Sequence, residues 1–421
     1  MKRIEIFTIK ILVLRGFLHS FSAGSIYVFL FPRTELSRFS DMKPGHNPIS
    51  SDLLADFCKV LKGFEMALLI NNDITARVLT MEAAVEAMER VLKQFAQGLA
   101  TFQPRTDIWS PTAVGGDYFR WGSLLGAMYD PPTFALRFKS DILSWTEYKG
   151  AVTEELHNME PGKYCGFIIL IDMTNGEIIG LLNDGVLHHV RVGATAGVGM
   201  KYFSRENSSV LGVVGSGGMA ETYAEAACVV RPIEEIRVYS PTPENREAYA
   251  DKMSKKLGIP VIIKENNFEV ARDADIVALC TDSRVPVYTL DMMYAQKPGA
   301  TFIRCRLDEI DEPVLGAVDK IFTNQQEGFS EFIIGSEQEK NLRPNNKEYR
   351  RRYQPNPNPF LAQVIVGEIP GRETNKESIY FDNNSAGLQF AAVGRVVYEA
   401  AKEQKLGIEI PMDWFQQDIR N

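Results

Sequence analysis

The stretch 210-VLGVVGSGGMAETYAEAACVV-230 carries the most specific chemical signal in the chain. An apolar run meets an Ala-rich run through Gly215, Ser216, Gly217, Gly218, Met219 and Ala220, a Gly-x-Gly-x-x-Ala spacing. In such a turn the first glycine makes the tight bend and the second lets the backbone approach a pyrophosphate. The small third residue lets a helix pack on a strand. The helix start then offers N–H groups and the positive end of its dipole to phosphate. A glycine spacing alone is a weak signal, but here it follows a strand pattern and opens a helix pattern, the context that gives it meaning. The expected ligand is a nicotinamide dinucleotide.

The residues after the next strands say which one. The second strand, "IRVYS", runs into 240-SPTPENRE-247. NAD enzymes place Asp or Glu at that strand end, to accept from the ribose 2′-hydroxyl. Here the position holds Ser240, and Ser240, Thr242 and Arg246 are suited to surround a 2′-phosphate, which favours NADP over NAD. The fourth strand runs into 280-CTDSRVP-286. Carboxyl ends of strands line the ligand crevice of open sheets, so Thr281, Asp282 and Ser283 are expected beside the nicotinamide half. His188 and His189 are adjacent, and neighbours on a helix point about 100° apart. They cannot readily chelate one ion, no carboxylate stands at metal spacing, and no metal is expected. Both are left outside the chemistry.

The elements that must position these residues follow from periodicity. From Ser209 to Asn324 strands alternate with helices, the rhythm of an α/β, doubly wound parallel sheet. Its strand candidates are 210–214, 236–239, 261–263, 276–280, 301–305 and 320–322. Before this block, a helix is predicted from Thr80, with apolar residues at helical spacing and Thr80 as N-cap. Residues 102–184 read as a largely antiparallel sheet, with a hairpin at Asn175-Gly176. A Gly- and Ala-rich helix over 185–204 is expected to pack closely on a neighbour. Residues 331–360 are hydrophilic. From Leu361 come a turn at Pro370-Gly371, a strand-like "SIYFDNN" and a long helix to about Lys405. The expected organisation is an N-terminal extension (1–65), the first part of a substrate domain (66–205), the dinucleotide domain (206–330), a polar insertion (331–360) and a C-terminal return to the substrate domain (361–421).

Composition narrows the classes of function. The 421 residues are 45% hydrophobic and 24% charged, with formal net charge −8. An acidic chain without a clear basic cluster is a poor partner for nucleic acid. Cys58, Cys165, Cys228, Cys280 and Cys305 are scattered, which argues against a disulfide framework and for a reducing, cytoplasmic compartment. The run over 1–31 is apolar but broken by Lys10, Arg15 and His19. It falls short of the roughly 20 predominantly apolar residues of a membrane span, so no membrane contact is expected.

Several stretches together resemble the ornithine cyclodeaminase and mu-crystallin family: 103-QPRTD, 135-ALRFKSD, 184-DGVLHHVRVGATAG, 212-GVVGSGGMA, 273-DADIVALCTDS, 297-KPGATF and 367-GEIPGR with IYFDNNSAGL. The resemblance spans about Met66 to Trp414. It implies a Rossmann-type dinucleotide domain set between two halves of an α+β substrate domain, through which members usually dimerise. It also implies a tightly held nicotinamide cofactor acting at the Cα–N bond of a small amino or imino acid.

The resemblance further implies site residues. Arg105 and Arg191 fall where the family holds the substrate carboxylate, as a guanidinium fork does. The family's active-site lysine falls on Arg137, and Lys139 lies two residues on, on the same strand face; one of the two is expected to serve. Asp308 aligns with the family's catalytic aspartate, with Glu309 or Asp311 as substitutes. Arg306 replaces the glycine that normally precedes this aspartate, and the loop is shorter. Activating water needs a positioned base, so the departure places imine reduction or amino-acid dehydrogenation ahead of cyclodeamination of ornithine to proline. A non-catalytic NADP- or ligand-binding role is the reading from another class.

Overall fold

The computed structural model describes residues 66–148, 151–158, 160, 162–336 and 356–419. The N-terminal run at 1–31 and, within the expected polar insertion, residues 337–355 lie outside these. Among the described residues, no helix is long and apolar enough to cross a membrane.

The strands form two sheets, numbered here in chain order. The first sheet contains β1 (Met66–Ile70), β2 (Ala100–Pro111), β3 (Tyr118–Met128), β4 (Thr133–Tyr148), β5 (Ala151–His157), β6 (Cys165–Asp172) and β7 (Ile178–Asn183). The second contains β8 (Val210–Val214), β9 (Glu235–Tyr239), β10 (Val261–Ile263), β11 (Ile276–Leu279), β12 (Thr301–Arg304) and β13 (Lys320–Thr323). Later residues supply β14 (Ser330–Ile333), β15 (Ile379–Asp382) and β16 (Ile408–Pro411). The first sheet runs β14-β2-β3-β4-β6-β7-β1-β16, with β5 paired to the second half of β4. The second runs β10-β9-β8-β11-β12-β15-β13, and every pairing in it is parallel.

The six parallel strands expected from the alternation all form. So does the hairpin at Asn175-Gly176, with β6 and β7 antiparallel and Gly176 at φ +81°. Two expectations are corrected. Strand β15 does not return to the substrate sheet; it enters the parallel sheet between β12 and β13. All four of its residues are buried, as suits a central parallel strand covered on both faces. The segment expected as a polar insertion begins with most of β14, which pairs with β2 at the edge of the first sheet.

Five helices matter for the site: α1 (Met81–Ala96), α2 (Gly185–Phe203), α3 (Gly218–Val230), α4 (Pro243–Leu257) and α5 (Leu388–Glu403). Thr80 caps α1 by accepting from the Ala83 amide at 3.2 Å. Its buried face carries Ala84, Val85, Met88, Val91 and Leu92, the stripe read from the sequence. Helix α2 packs on α1, on α5 and on α3, so it touches the coverings of both sheets. Its glycines explain that closeness. A Cβ at Gly193 would stand 2.6 Å from the Thr222 Cβ on α3. Helix α5 lies against β3 and β4 and brings Phe390 and Gln389 to the charged face of the sheet.

Candidate functional site

Strand β4 builds the floor of the site. Its buried face reads Thr133, Ala135, Arg137, Lys139, Asp141, Leu143, alternate residues on one side of a pleated strand. The antiparallel register sets Arg120 of β3 opposite Asp141. Arg120 donates to it through Nε at 3.1 Å and Nη2 at 2.9 Å. Lys139 Nζ reaches the same carboxylate at 2.7 Å. Arg105 Nε meets Asp107 at 2.7 Å, and the room for this pair comes from Gly122, where a Cβ would stand 2.6 Å from Asp107 Oδ1. Arg137 donates through Nε to Asp184 Oδ2 at 2.9 Å and also through Nη2. These cations therefore sit on Asp107, Asp141 and Asp184, each 1% exposed or less, which is how buried charge is tolerated.

Arg191, on α2, is different. It is 1% exposed, yet its hydrogen bonds go to neutral groups. Nη1 donates to Ser385 Oγ at 2.9 Å and Gln389 Oε1 at 2.7 Å, and Nη2 to His188 Nδ1 at 3.0 Å. Its Nε has no hydrogen-bond partner among the described residues. The guanidinium lies 4.7 Å over the Phe390 ring. Burial, then nearby Arg137, pull its pKa down to about 9.

Electrostatics separate the two basic residues of β4. Burial and the adjacent Arg120 lower the Lys139 ammonium to about 7, against the pull of Asp141. Burial works against the Asp141 carboxylate, but Lys139 and Arg120 hold it down at about 2. Burial also works against Arg137, whose pairing with Asp184 more than restores its charge. Arg137 is thus held as a cation, whereas the Lys139 pKa is brought close to neutrality.

The basic residues among these line one cavity of about 240 Å³ that also includes Met219 from the glycine turn and Cys305 beyond β12. It brings together Arg105, Arg137, Lys139, Arg191 and Met219, all expected from the sequence. It adds Arg120, Arg304 and His188. Arg304, at the end of β12, pairs with Asp382 at the end of β15.

The glycine turn has the expected form. Gly215 takes φ +113°, and a Cβ there would stand 2.2 Å from the Cys280 carbonyl oxygen. Gly217 precedes α3 with no side-chain cap, and a methyl added there would meet nothing within 4 Å. The first α3 amides are therefore open to an anion, which fits a dinucleotide pyrophosphate. Gly218 faces the His189 ring, and Ala220 is fully buried, its carbonyl accepting from the Tyr249 hydroxyl. Ser216 Oγ donates to Ser240 Oγ at 2.9 Å. Arg246 donates to the Ser240 carbonyl at 2.9 Å, with its guanidinium 5.3 Å over Tyr239. Thr242 sits at the start of α4 without a side-chain cap bond.

The loops beyond β11 and β12 hold two surprises. Asp308 does not line the cavity; it faces Arg284 at 3.5 Å. The neighbour Glu309 is fully buried instead. Its carboxylate accepts from the Thr281 amide (2.6 Å) and hydroxyl (2.9 Å), and from the amides of Cys305 (2.9 Å) and Arg306 (2.7 Å). One short 3-10 turn, Leu307–Glu309, turns one acid inward and the other away. Burial raises Glu309, offset in part by these bonds. Thr281 is thereby tied to Glu309, Asp282 is exposed and paired with Arg306 at 3.1 Å, and Ser283 bonds the Val285 carbonyl. His188, set aside on sequence grounds, belongs to the cavity; the angle between adjacent histidines excludes shared chelation but not one ring turned to the site. Charged residues at inward positions of β3 and β4 were the signal for Arg120 and Asp141. Glu309 was named only as a substitute for Asp308, and no local pattern marked which of the two acids would be buried.

Comparison with known proteins agrees with this architecture. A family model described as "Ornithine cyclodeaminase/mu-crystallin family" matches residues 152–405. A Delta(1)-pyrroline-2-carboxylate reductase of Bacillus cereus is 29% identical over 263 residues, covering 62% of this chain and 78% of that protein. The structure of Thermococcus litoralis Delta(1)-pyrroline-2-carboxylate reductase, in complex with NADH and L-proline, superposes with TM-score 0.64. It is 24% identical and covers 82% of this chain and all of that one. An archaeal alanine dehydrogenase dimer with bound NAD has TM-score 0.62 at 20% identity, covering 82% of this chain and 99% of that one. These two likenesses show the fold: an α/β protein with a doubly wound parallel sheet and a second, mainly antiparallel sheet. The chain belongs to the ornithine cyclodeaminase/mu-crystallin family.

Proposed function

We propose that the protein is an NAD(P)H-dependent reductase of small imino acids, with NADPH preferred, and that cyclic imines of the pyrroline-2-carboxylate type are its first candidates. The observation that carries the reading is the pairing of two cations in one cavity. Arg191 is buried with an unmet donor, and Lys139, its pKa lowered to about 7, lines the same cavity. A carboxylate meets the first and an imine nitrogen the second. The reductase relative is a source for the substrate class.

A nicotinamide dinucleotide, when bound, would supply the hydride for the imine carbon. The chain's own residues would do the rest. The open α3 amides and Gly217 would hold the pyrophosphate. Ser240, Thr242 and Arg246 would hold the adenosine 2′-phosphate. Glu309 fixes the Thr281 loop and the residues after β12 at the carboxyl edge of the sheet. Arg191, with Arg105 from the same cavity lining, orients the substrate carboxylate. Lys139 donates its proton to the imine nitrogen as the C=N bond becomes C–N, and Asp141 with Arg120 keeps the amine in place. Arg137 holds charge, not a mobile proton.

Placement of Asp308 against Arg284 favours reduction over cyclodeamination, which calls for a base at the reacting amine. The test is a panel on the purified protein with both reduced cofactors. Pyrroline-2-carboxylate, its six-membered homologue, and pyruvate with ammonia are supplied as electrophiles, and ornithine is tried with the oxidised cofactors. Nicotinamide oxidation with a cyclic imine supports the proposal. Proline and ammonia from ornithine without net cofactor use would replace it with the lyase. Saturable binding without turnover of any imine or amine would leave a binding protein. A dimer, as in the archaeal alanine dehydrogenase, is expected in the same preparation by light scattering.

A further inference from the structure

His188 stands one helical turn before Arg191 on α2, where side chains three apart are neighbours. An arginine has no acceptor, so the contact between Arg191 Nη2 and His188 Nδ1 at 3.0 Å has one sense: the guanidinium donates and Nδ1 accepts. The ring proton is then on Nε2. The imidazole is stacked on Phe390, with centroids 6.4 Å apart, and Phe390 also underlies Arg191 and Arg137. Burial, then Arg191 and Arg137, hold the His188 pKa well below its usual value, which agrees with a neutral ring.

The hydrogen count on Arg191 shows what this arrangement does. Ser385 and Gln389 use both hydrogens of Nη1, and His188 uses one of Nη2. Nε and the second Nη2 hydrogen remain for a ligand, and Nε is an unmet buried donor. Without His188, Nη2 would lose its acceptor among the described residues, and the guanidinium plane would be held from one side only.

We propose that His188 is a positioning residue for substrate recognition: its Nδ1 fixes the plane of Arg191, so that Nε and Nη2 present a fork to the carboxylate of the imino acid. This rests on the reading that Arg191 is the carboxylate clamp. The histidine transfers no proton, and its neutrality keeps the acceptor in place.

Three substitutions separate this role from its rivals. His188→Asn places an amide oxygen near the position of Nδ1. His188→Gln extends an amide toward the position of Nε2 and leaves Arg191 without its acceptor. His188→Ala removes both. KM and kcat are measured with the imino acid that the wild type reduces, alongside NADPH affinity by fluorescence and L-proline binding to the NADP-loaded protein by calorimetry. We expect KM and the L-proline Kd to rise about tenfold in H188A and H188Q, with kcat and NADPH affinity little changed. H188N is expected to recover most of the loss. If H188Q keeps wild-type KM and H188N does not, the ring acts through Nε2 and the inference is overturned. It is also overturned if all three variants match the wild type, or if all three lose NADPH affinity and substrate affinity together, as a purely structural residue would. A wild type that neither binds L-proline nor reduces any imine would instead overturn the proposed function, and this inference with it.

Discussion

The two sheets prepare for a ligand by opposite means. At the carboxyl edge of the parallel sheet the backbone is left open: Gly215 at positive φ, free space at Gly217, and uncapped amides at the start of α3. On the buried face of the antiparallel sheet side chains line the cavity, and each cation is held by a partner that the fold brings to it. Asp184 comes from the start of α2, Asp141 from β4 itself, Gln389 from α5. A backbone site needs only local spacing and an absence of side chains. A side-chain site needs a folded sheet, a register and a matched set of counter-charges.

That contrast ranks the effect of substitutions. The largest loss of activity is expected at the side-chain site. Lys139→Met is predicted to lower turnover by about 10²–10⁴-fold, the usual range for a positioned acid or base, with NADPH affinity unchanged. The pH profile carries the sign. Lys139 is lowered to about 7, so the ammonium is present below that value and lost above it. The rate of imine reduction is therefore expected to fall as pH rises through about 7. A falling limb that survives in K139M would assign the proton to another group.

Asp184→Asn is expected to cost stability at the same site. It leaves Arg137, 1% exposed, without its carboxylate, and breaking one side of a buried pair costs about 3–5 kcal/mol. Denaturant unfolding of the holoprotein measures it. A loss below about 1 kcal/mol would mean that Arg137 finds another anion and that the counter-charge scheme is wrong.

The backbone site should respond in the reverse way. Gly217 has ordinary extended backbone, and an added methyl meets nothing within 4 Å. Gly217→Ala is predicted to leave the melting temperature of the apoprotein unchanged and to weaken NADPH binding about tenfold, since the methyl occupies space kept for the phosphates. Equal NADPH affinity in G217A would show that the pyrophosphate does not sit over this residue.

The same contrast governs what the sequence could tell. The parallel strands, the glycine turn, the Thr80 cap and the Asn175-Gly176 hairpin are set by neighbours within a few residues, and each is legible. The place of β15 is not, because strand order is decided by which edge is open when the chain returns, and the sequence of Ile379–Asp382 says only that it is buried. Arg105, Arg191 and Lys139 came from a resemblance and converge on one cavity. Arg120 did not come from it, and Glu309 entered only as a substitute for Asp308, for different reasons. Arg120 had a visible signal, a charge at an inward position of an alternating strand, with no way to tell which acid would face it before the register was known. For Asp308 and Glu309 the choice depends on a three-residue turn, where one step of rotation exchanges the inward and outward carboxylates.

The most local expected effect is the sharpest discriminator of the cofactor. Arg246 is partly exposed, stacked over Tyr239 and bonded to the Ser240 carbonyl, so it is held at the strand end where a ribose 2′-substituent belongs. A guanidinium there attracts a 2′-phosphate and has little to offer a 2′-hydroxyl. Arg246→Ala is therefore expected to raise the KM for NADPH about tenfold and to leave that for NADH within about twofold, with the imino-acid KM unmoved. If both cofactors weaken equally, Arg246 supports the loop as a whole and the preference for NADPH loses its physical basis. If neither changes, the 2′-phosphate is bound by Ser240 and Thr242 alone, and their double substitution to alanine becomes the decisive experiment.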